Sequence, residues 1–218
     1  MIISRPKKLD DCLQILGSDP VFLIGCSDCA TICRTGGESE ILEMKKLLEA
    51  RNLQVTGWVI LDPACHLQNN KRLLKSFAQQ VACAKKIFVL ACGNGVQTVA
   101  ELFEGKDIVA GSDSLFIGEI KRVTEFEKRC MACGDCLVDS YGGLCPISRC
   151  AKSMLNGPCG GSRGGRCEIN PDIACVWEQI YRFLMKKGRM DIFHRIQPPK
   201  DWSKSLEMQR SIHCGNTK

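Results

Sequence analysis

Sixteen cysteines in 218 residues are the groups that can do chemistry in this chain. Eight of them, Cys130, Cys133, Cys136, Cys145, Cys150, Cys159, Cys167 and Cys175, fall in one stretch, CMACGDCLVDSYGGLCPISRCAKSMLNGPCGGSRGGRCEINPDIAC. Thiols at that density either pair as disulfides or ionise to thiolates that hold metal. Apolar residues are sparse there, and Gly142, Gly143, Gly157, Gly160, Gly161, Gly164 and Gly165 loosen the backbone. Such a segment cannot recover its ordering entropy by burying a core, so ligand chemistry has to fix it.

The spacing narrows the ligand. Cys130-x2-Cys133-x2-Cys136, followed by Cys145-Pro146, resembles the bacterial ferredoxin run C-x2-C-x2-C-x3-C-P, but its last gap is eight residues instead of three. Three thiolates in one short loop can each reach a different iron of a cubane. Zinc prefers separated C-x2-C pairs or Cys/His sets, and the stretch contains no histidine. Eight thiolates suit two [4Fe–4S] clusters, or one cluster with one zinc. The pairing stays open, because runs of this type can donate their last cysteine to the other cluster. Gly157, Gly160 and Gly161 around Cys159 let backbone amides approach cluster sulfurs, and Arg149 and Lys152 could act likewise through charge.

A second thiol set is spread over the first half of the chain. Cys26, Cys29 and Cys33 lie in GCSDCATIC, Cys65 follows Asp62-Pro63, and Cys92 precedes Gly93-Asn94-Gly95. The elements between them read as alternating strand and helix. Strands are expected at Val21–Ile24, Val55–Leu61, Ile87–Ala91 and Ile108–Ala110, with Leu115–Ile120 a candidate neighbour. Helical stripes run through Ile41–Leu48, Leu73–Val81 and Val96–Phe103, the last with Gly105 as its expected C′ residue. Before these, residues 1–20 read as a polar lead-in with a short helix at Leu9–Leu16, and Cys12 as an ordinary thiol. This order predicts an α/β fold, a small parallel sheet flanked by helices in the flavodoxin or Rossmann manner. Such sheets bind ligands at the carboxyl ends of their strands, so Cys26, Cys65 and Cys92 should meet in one crevice, with Cys29 or Cys33 completing the set. Cys83, within a helical pattern, reads as core. Gly93 could bring a backbone N–H to an anion, but no full GxGxxG or GxxxxGK[ST] is present, which discounts nucleotide binding.

Beyond the sheet, residues 121–129 read as a charged connection into an irregular cysteine-rich iron–sulfur domain. A C-terminal helix is expected from Pro171-Asp172, with Ile173, Trp177, Ile180 and Leu184 on one face and Cys175 in its first turn. Ile192, Phe193, Ile196 and Trp202 read either as anchors for a partner or as packing on their own domain. The start, MIISRPKKLDDCLQIL, lacks the features of a signal peptide, and no run approaches the roughly 20 apolar residues of a membrane span. A cytoplasmic setting is therefore expected, where thiols hold metal. The formal charge of +6 counts each cysteine as neutral. A [4Fe–4S] core with four thiolates carries about −2, so three clusters would bring the total to about zero, and nucleic acid is not needed as a partner.

The pattern CMACGDC…GGLCPISRCAKSMLNGPCGG…GRCE…CVWEQIY resembles the cysteine-rich domain found with methylenetetrahydrofolate reductases. GCSDCATICRTGGE and ACGNGVQTVAE resemble the domain that precedes it, and together they are similar to the small iron–sulfur (MetV-type) subunit of the reductase of acetogenic bacteria. The resemblance implies a non-catalytic electron-transfer subunit serving the methyl branch of one-carbon metabolism. Its partner would be a large subunit that carries the flavin and reduces methylenetetrahydrofolate. Ferredoxin or a larger electron-bifurcating complex would be the redox partner. Two to three [4Fe–4S] clusters are implied, with zinc as the other occupant of one site. The expected division is an α/β domain over 1–122, the iron–sulfur domain over 123–188 and a docking arm over 189–218. Two other readings stand beside it. One is a zinc-bearing tether for the same or a related complex. The other is a self-contained enzyme with His66 beside Cys65 as the nearest histidine.

Overall fold

A computed structural model describes residues 1–206 of the chain. It divides into two compact units, Met1–Phe116 with Ile120–Phe126, and Ile117–Glu119 with Glu127 onward.

In the first unit, β1 (Ile2–Pro6) precedes α1 (Leu9–Leu16). The lead-in is therefore not irregular before its helix. Ile3 and Ser4 are buried, and the Ser4 and Thr35 hydroxyls hydrogen-bond at 2.9 Å. Five residues carry too short a pattern to announce a strand whose partner lies over a hundred residues away.

The main sheet is built from β2 (Val21–Cys26), β3 (Val55–Leu61), β4 (Lys86–Val89) and β5 (Asp107–Ala110), in the order β3-β2-β4-β5. All its pairings are parallel. All six residues of β2 are buried, as a central strand covered on both faces requires. Register aligns the carboxyl ends: Cys26 pairs with Leu61, Ile24 with Val89, and Val89 with Ala110. The strand order places the topological switch between β2 and β4, where doubly wound sheets open a crevice.

The helices follow the expected stripes with three corrections. Short α2 (Cys29–Ile32) leads into α3 (Glu38–Glu49), whose start is fixed by the Gly37 N–H donating to the Glu40 carboxylate at 2.9 Å. The stripe at Leu73–Val81 is not one helix. It is split into α4 (Leu67–Leu73), a 3₁₀ turn (Leu74–Phe77) and α5 (Ala78–Cys83). Leu74 and Val81 face the core, whereas Cys83, expected in the core, is exposed. Helix α6 (Gly93–Leu102) ends at Phe103, whose N–H bonds the Ala100 carbonyl, so Gly105 is not a left-handed C′ residue.

A second sheet, ordered β1-β6-β7, contains β6 (Ser112–Arg122) and β7 (Glu125–Cys130). Leu115–Ile120 thus does not join the parallel sheet, and the charged connection at 121–129 is half of a hairpin. Its strands are tied by the ion pair between Arg129 and Glu119, and no apolar alternation marks them.

The second unit has little regular structure: α7 (Pro146–Arg149), α8 (Val176–Lys186), a 3₁₀ turn (Met190–His194) and α9 (Ser203–Leu206). Tyr141, Val176, Trp177, Ile180, Leu184 and Ile192 form its core. Helix α8 starts at Val176 with Cys175 as N-cap, later than expected. The preceding residues are held elsewhere, since the Cys167 N–H bonds the Ile173 carbonyl and Arg166 bridges Ala174. Ile173 is consequently outside the helix and exposed. Of the C-terminal candidates, Ile192 and Phe193 pack on this core, while Ile196, at 89% exposure, and Trp202 do not. Residues 207–218 of the expected arm lie outside the described residues. No described helix is long and apolar enough to cross a membrane.

Candidate metal centre

The sheet delivers its thiols to one edge. Cys26 ends β2 and is 5% exposed; Cys92 caps α6 after β4 and is 7% exposed. Cys65 follows β3 in a loop clamped by the buried Asn70, whose side-chain amide donates to the Ala64 carbonyl at 2.8 Å. The Ala64 N–H points at Cys26 Sγ at 3.5 Å. Gly95, in the first turn of α6, lies against the same loop, because a Cβ there would come 2.9 Å from Ala64 Cβ. The Cys26–Cys33 loop is pressed onto the sheet in turn. Cys26 N–H donates to the Gly36 carbonyl at 2.9 Å, and any Cβ at Gly36 would strike the Leu90 carbonyl.

Burial pushes the Cys29 thiol up, partly offset by the Ile2 backbone, with Asp28 and Cys92 adding to the rise. Cys65 is exposed overall, yet desolvation of its sulfur is the main push upward, followed by charge on Cys92 and Cys26. Cys29 thus lies within electrostatic reach of Cys92, and Cys65 within reach of Cys92 and Cys26. Cys33 reaches instead toward the Ile2 carbonyl, at 3.9 Å. Gly93 does not offer a free amide, since its N–H donates to Ser114 Oγ at 2.7 Å. His66 caps α4, its Nδ1 accepting from Asn69 N–H at 3.2 Å.

In the second unit four thiols share one cavity. Cys150, Cys159, Cys167 and Cys175 line it together with Arg149, Lys152 and Glu168. Cys159 departs from the strand-end thiols in direction. The Gly161 backbone N–H pulls it down, and Lys152 adds to the pull. Lys152 is ion-paired with Glu168, which packs so closely on Gly161 that a side chain there would collide with its carboxylate. Gly157 and Gly160 take left-handed φ values of 110° and 80°, which turn the loop around Cys159. Arg149 is paired with Glu127 at 3.0 Å.

The remaining thiols follow β7. Cys130 Sγ accepts from the Ala132 N–H at 3.2 Å, Cys133 donates weakly to the Asp135 carbonyl at 3.7 Å, and Cys145 caps α7. Ala132 sits at φ 52°, an uncommon conformation for a residue with a side chain, in the middle of the C-x2-C.

Among the described residues no three Cys, His, Asp or Glu side chains are drawn close enough to hold a metal ion. The chemistry of the donors nevertheless fits a thiolate-held group: four soft ligands without histidine surround one cavity, and an amide and an ammonium already favour the ionised form of one of them. Asn70, Glu168 and Asp135, whose side chains hold the loops beside these thiols through the Ala64 carbonyl, Lys152, and Lys200 with Lys204, are absent from the sequence reading. Only Asp135, inside the C-x2-C-x2-C run, carried any local signal.

The comparisons bear on this unit. Residues 109–203 match the family described as Methylene-tetrahydrofolate reductase C terminal. That relates the cysteine-rich unit and the hairpin leading into it to methylenetetrahydrofolate reductase, and so links the chain to an oxidoreductase. The match spans fewer than half of the 218 residues and leaves β2, β3 and β4, with the strand-end thiols, outside it. No curated protein and no solved structure matches the chain.

Proposed function

We propose that the chain is the iron–sulfur, electron-relaying subunit of a methylenetetrahydrofolate reductase, without catalysis of its own. The observation that carries this reading is the cavity walled by Cys150, Cys159, Cys167 and Cys175, inside the segment that matches the reductase family. These four would hold one [4Fe–4S] cluster. Cys130, Cys133, Cys136 and Cys145 would hold a second, and Cys26, Cys29, Cys65 and Cys92 a third. When bound, each cluster supplies one-electron chemistry.

The chain's own residues set the terms. Ligation must displace protons from thiols that burial holds in the neutral form at Cys29 and Cys65, whereas Cys159 is already drawn toward thiolate. The Gly161 amide and the Lys152–Glu168 pair fix the charge beside the cavity, which is the usual protein lever on potential. The electron acceptor would be the flavin of a partner reductase subunit. Ferredoxin or a larger bifurcating complex, in the cytoplasm of an acetogen, would be the donor.

Anaerobic purification and reconstitution, with iron and acid-labile sulfide analysis, tests the reading. Two to three clusters per chain are expected, with visible absorbance bleached by dithionite. Fewer than about four irons, the content of one cubane, would sink it. Zinc without sulfide would put the tethering reading in its place.

A further inference from the structure

The chain after the 3₁₀ turn lies across both cysteine loops of its own unit. Gln197 and Asn156 are joined twice: the Gln197 N–H donates to Asn156 Oδ1 at 2.7 Å, and the Asn156 amide donates to the Gln197 carbonyl at 3.0 Å. Asn156 begins the NGPCGG loop that carries Cys159. Three residues further on, Lys200 Nζ lies 3.3 Å from one oxygen of Asp135, and Lys204 Nζ lies 3.0 Å from the other. Asp135 sits between Cys133 and Cys136. Ser205 Oγ donates to the Ala132 carbonyl at 3.1 Å, and a Cβ on Gly134 would come within 2.7 Å of the Lys204 backbone.

The grip is not an ordinary surface ion pair. The Lys200 side chain is only 6% exposed, and its buried Nζ faces the Asp135 carboxylate. The Asp135 carboxylate is its counter-charge, and a buried cation that loses its counter-charge is strongly unfavourable. Between the two attachments stand Pro198 and Pro199, whose rings fix φ and remove two N–H donors. Three residue steps also limit the reach from Gln197 to Lys200 to roughly 10 Å.

We propose that residues 195–205 are a strap that holds the two cysteine loops in a fixed relation. Asp135 is its latch and acts as a positioning residue for the C-x2-C-x2-C thiols. The strap stands on geometry alone; its effect on ligation rests on the iron–sulfur reading above.

Hydrogen exchange on the full chain, compared with Asp135→Asn, Asp135→Glu and Lys200→Met, tests the strap with or without iron. In Asp135→Asn, amides of 130–137 and 200–206 should exchange about tenfold faster, with β2–β5 unchanged, and Asp135→Glu should restore most of the protection. Unchanged exchange in both segments overturns the strap. So does a rise spread equally through α8, which would mean general loosening. On the iron-loaded chain, Asp135→Asn should speed iron release to a chelator and alter the electron paramagnetic resonance signal of one cluster only. Unchanged release and signal would overturn the positioning role. A wild-type chain without iron would remove the iron–sulfur reading and that role together, leaving the exchange result to decide the strap.

Discussion

The two sets of thiols are organised by opposite means. At the strand ends, cysteines sit on a sheet whose central strand is wholly buried, and neighbouring loops are fixed by backbone lying on backbone, as at Gly36 over Leu90. In the cysteine-rich unit the core is small, and the loops are held by side chains: Lys152 on Glu168, Arg149 on Glu127, Lys200 and Lys204 on Asp135. The electrostatics differ too. Burial holds Cys29 and Cys65 as neutral thiols, whereas an amide and an ammonium draw Cys159 toward thiolate. A scaffold made by packing stands ready without its ligand. On the iron–sulfur reading proposed above, one made by tethers needs the ligand as a structural member.

The largest test of that contrast is metal removal. Stripping metal under reducing conditions should lower amide protection over 130–175 by about a hundredfold while β2–β5 hold theirs, read by hydrogen exchange. Equal losses in both units would break the comparison. Substitution of single glycines comes next. Gly36→Ala should cost about 2 kcal/mol in denaturant unfolding of the first unit, because its methyl lands on a carbonyl that cannot retreat. Gly160→Ala, at φ 80° with open space around it, should cost only about 1 kcal/mol.

The smallest effect is acid. Arg129 holds the Glu119 carboxyl below its usual range, and hydrogen bonds from Ser203 do the same for Asp201. A depressed carboxyl adds stability that is complete above its unfolded pKa and is lost as pH falls through the lower folded value. Amide shifts near 119, 129 and 201–203 should therefore begin to move only below about pH 4. In the first unit Asp19, depressed by Lys85 and Lys86, should report the same change without disturbing the sheet.

What could be read from the residues follows the same division. The α/β sheet was legible because strands such as VFLIGC and VTGWVIL are apolar runs bounded by turn residues, and these runs put Cys26, Cys65 and Cys92 after strand ends. The β6–β7 hairpin was not, since its strands are tied by Arg129 and Glu119, whose side chains carry no apolar period. Cys83 went astray because a helix broken by a 3₁₀ turn no longer keeps one face inward. In the cysteine-rich unit the spacing marked out the thiols, but the grouping of Cys150, Cys159, Cys167 and Cys175 around one cavity came from long-range folding. Glu168 on Gly161 and Lys200 on Asp135 left no local trace.

The hairpin has one more consequence. The chain passes between the units more than once, since Ile117–Glu119 belongs with the cysteine-rich unit while Ile120–Phe126 returns to the first. A fragment cut at Glu127 would keep every cysteine of the second unit and lose Glu119, one of the two carboxylates on Arg129. The family match begins earlier, at residue 109. The module that is shared between proteins thus starts earlier in the chain than the module that is compact, and scissors placed at Glu127 would cut through β7.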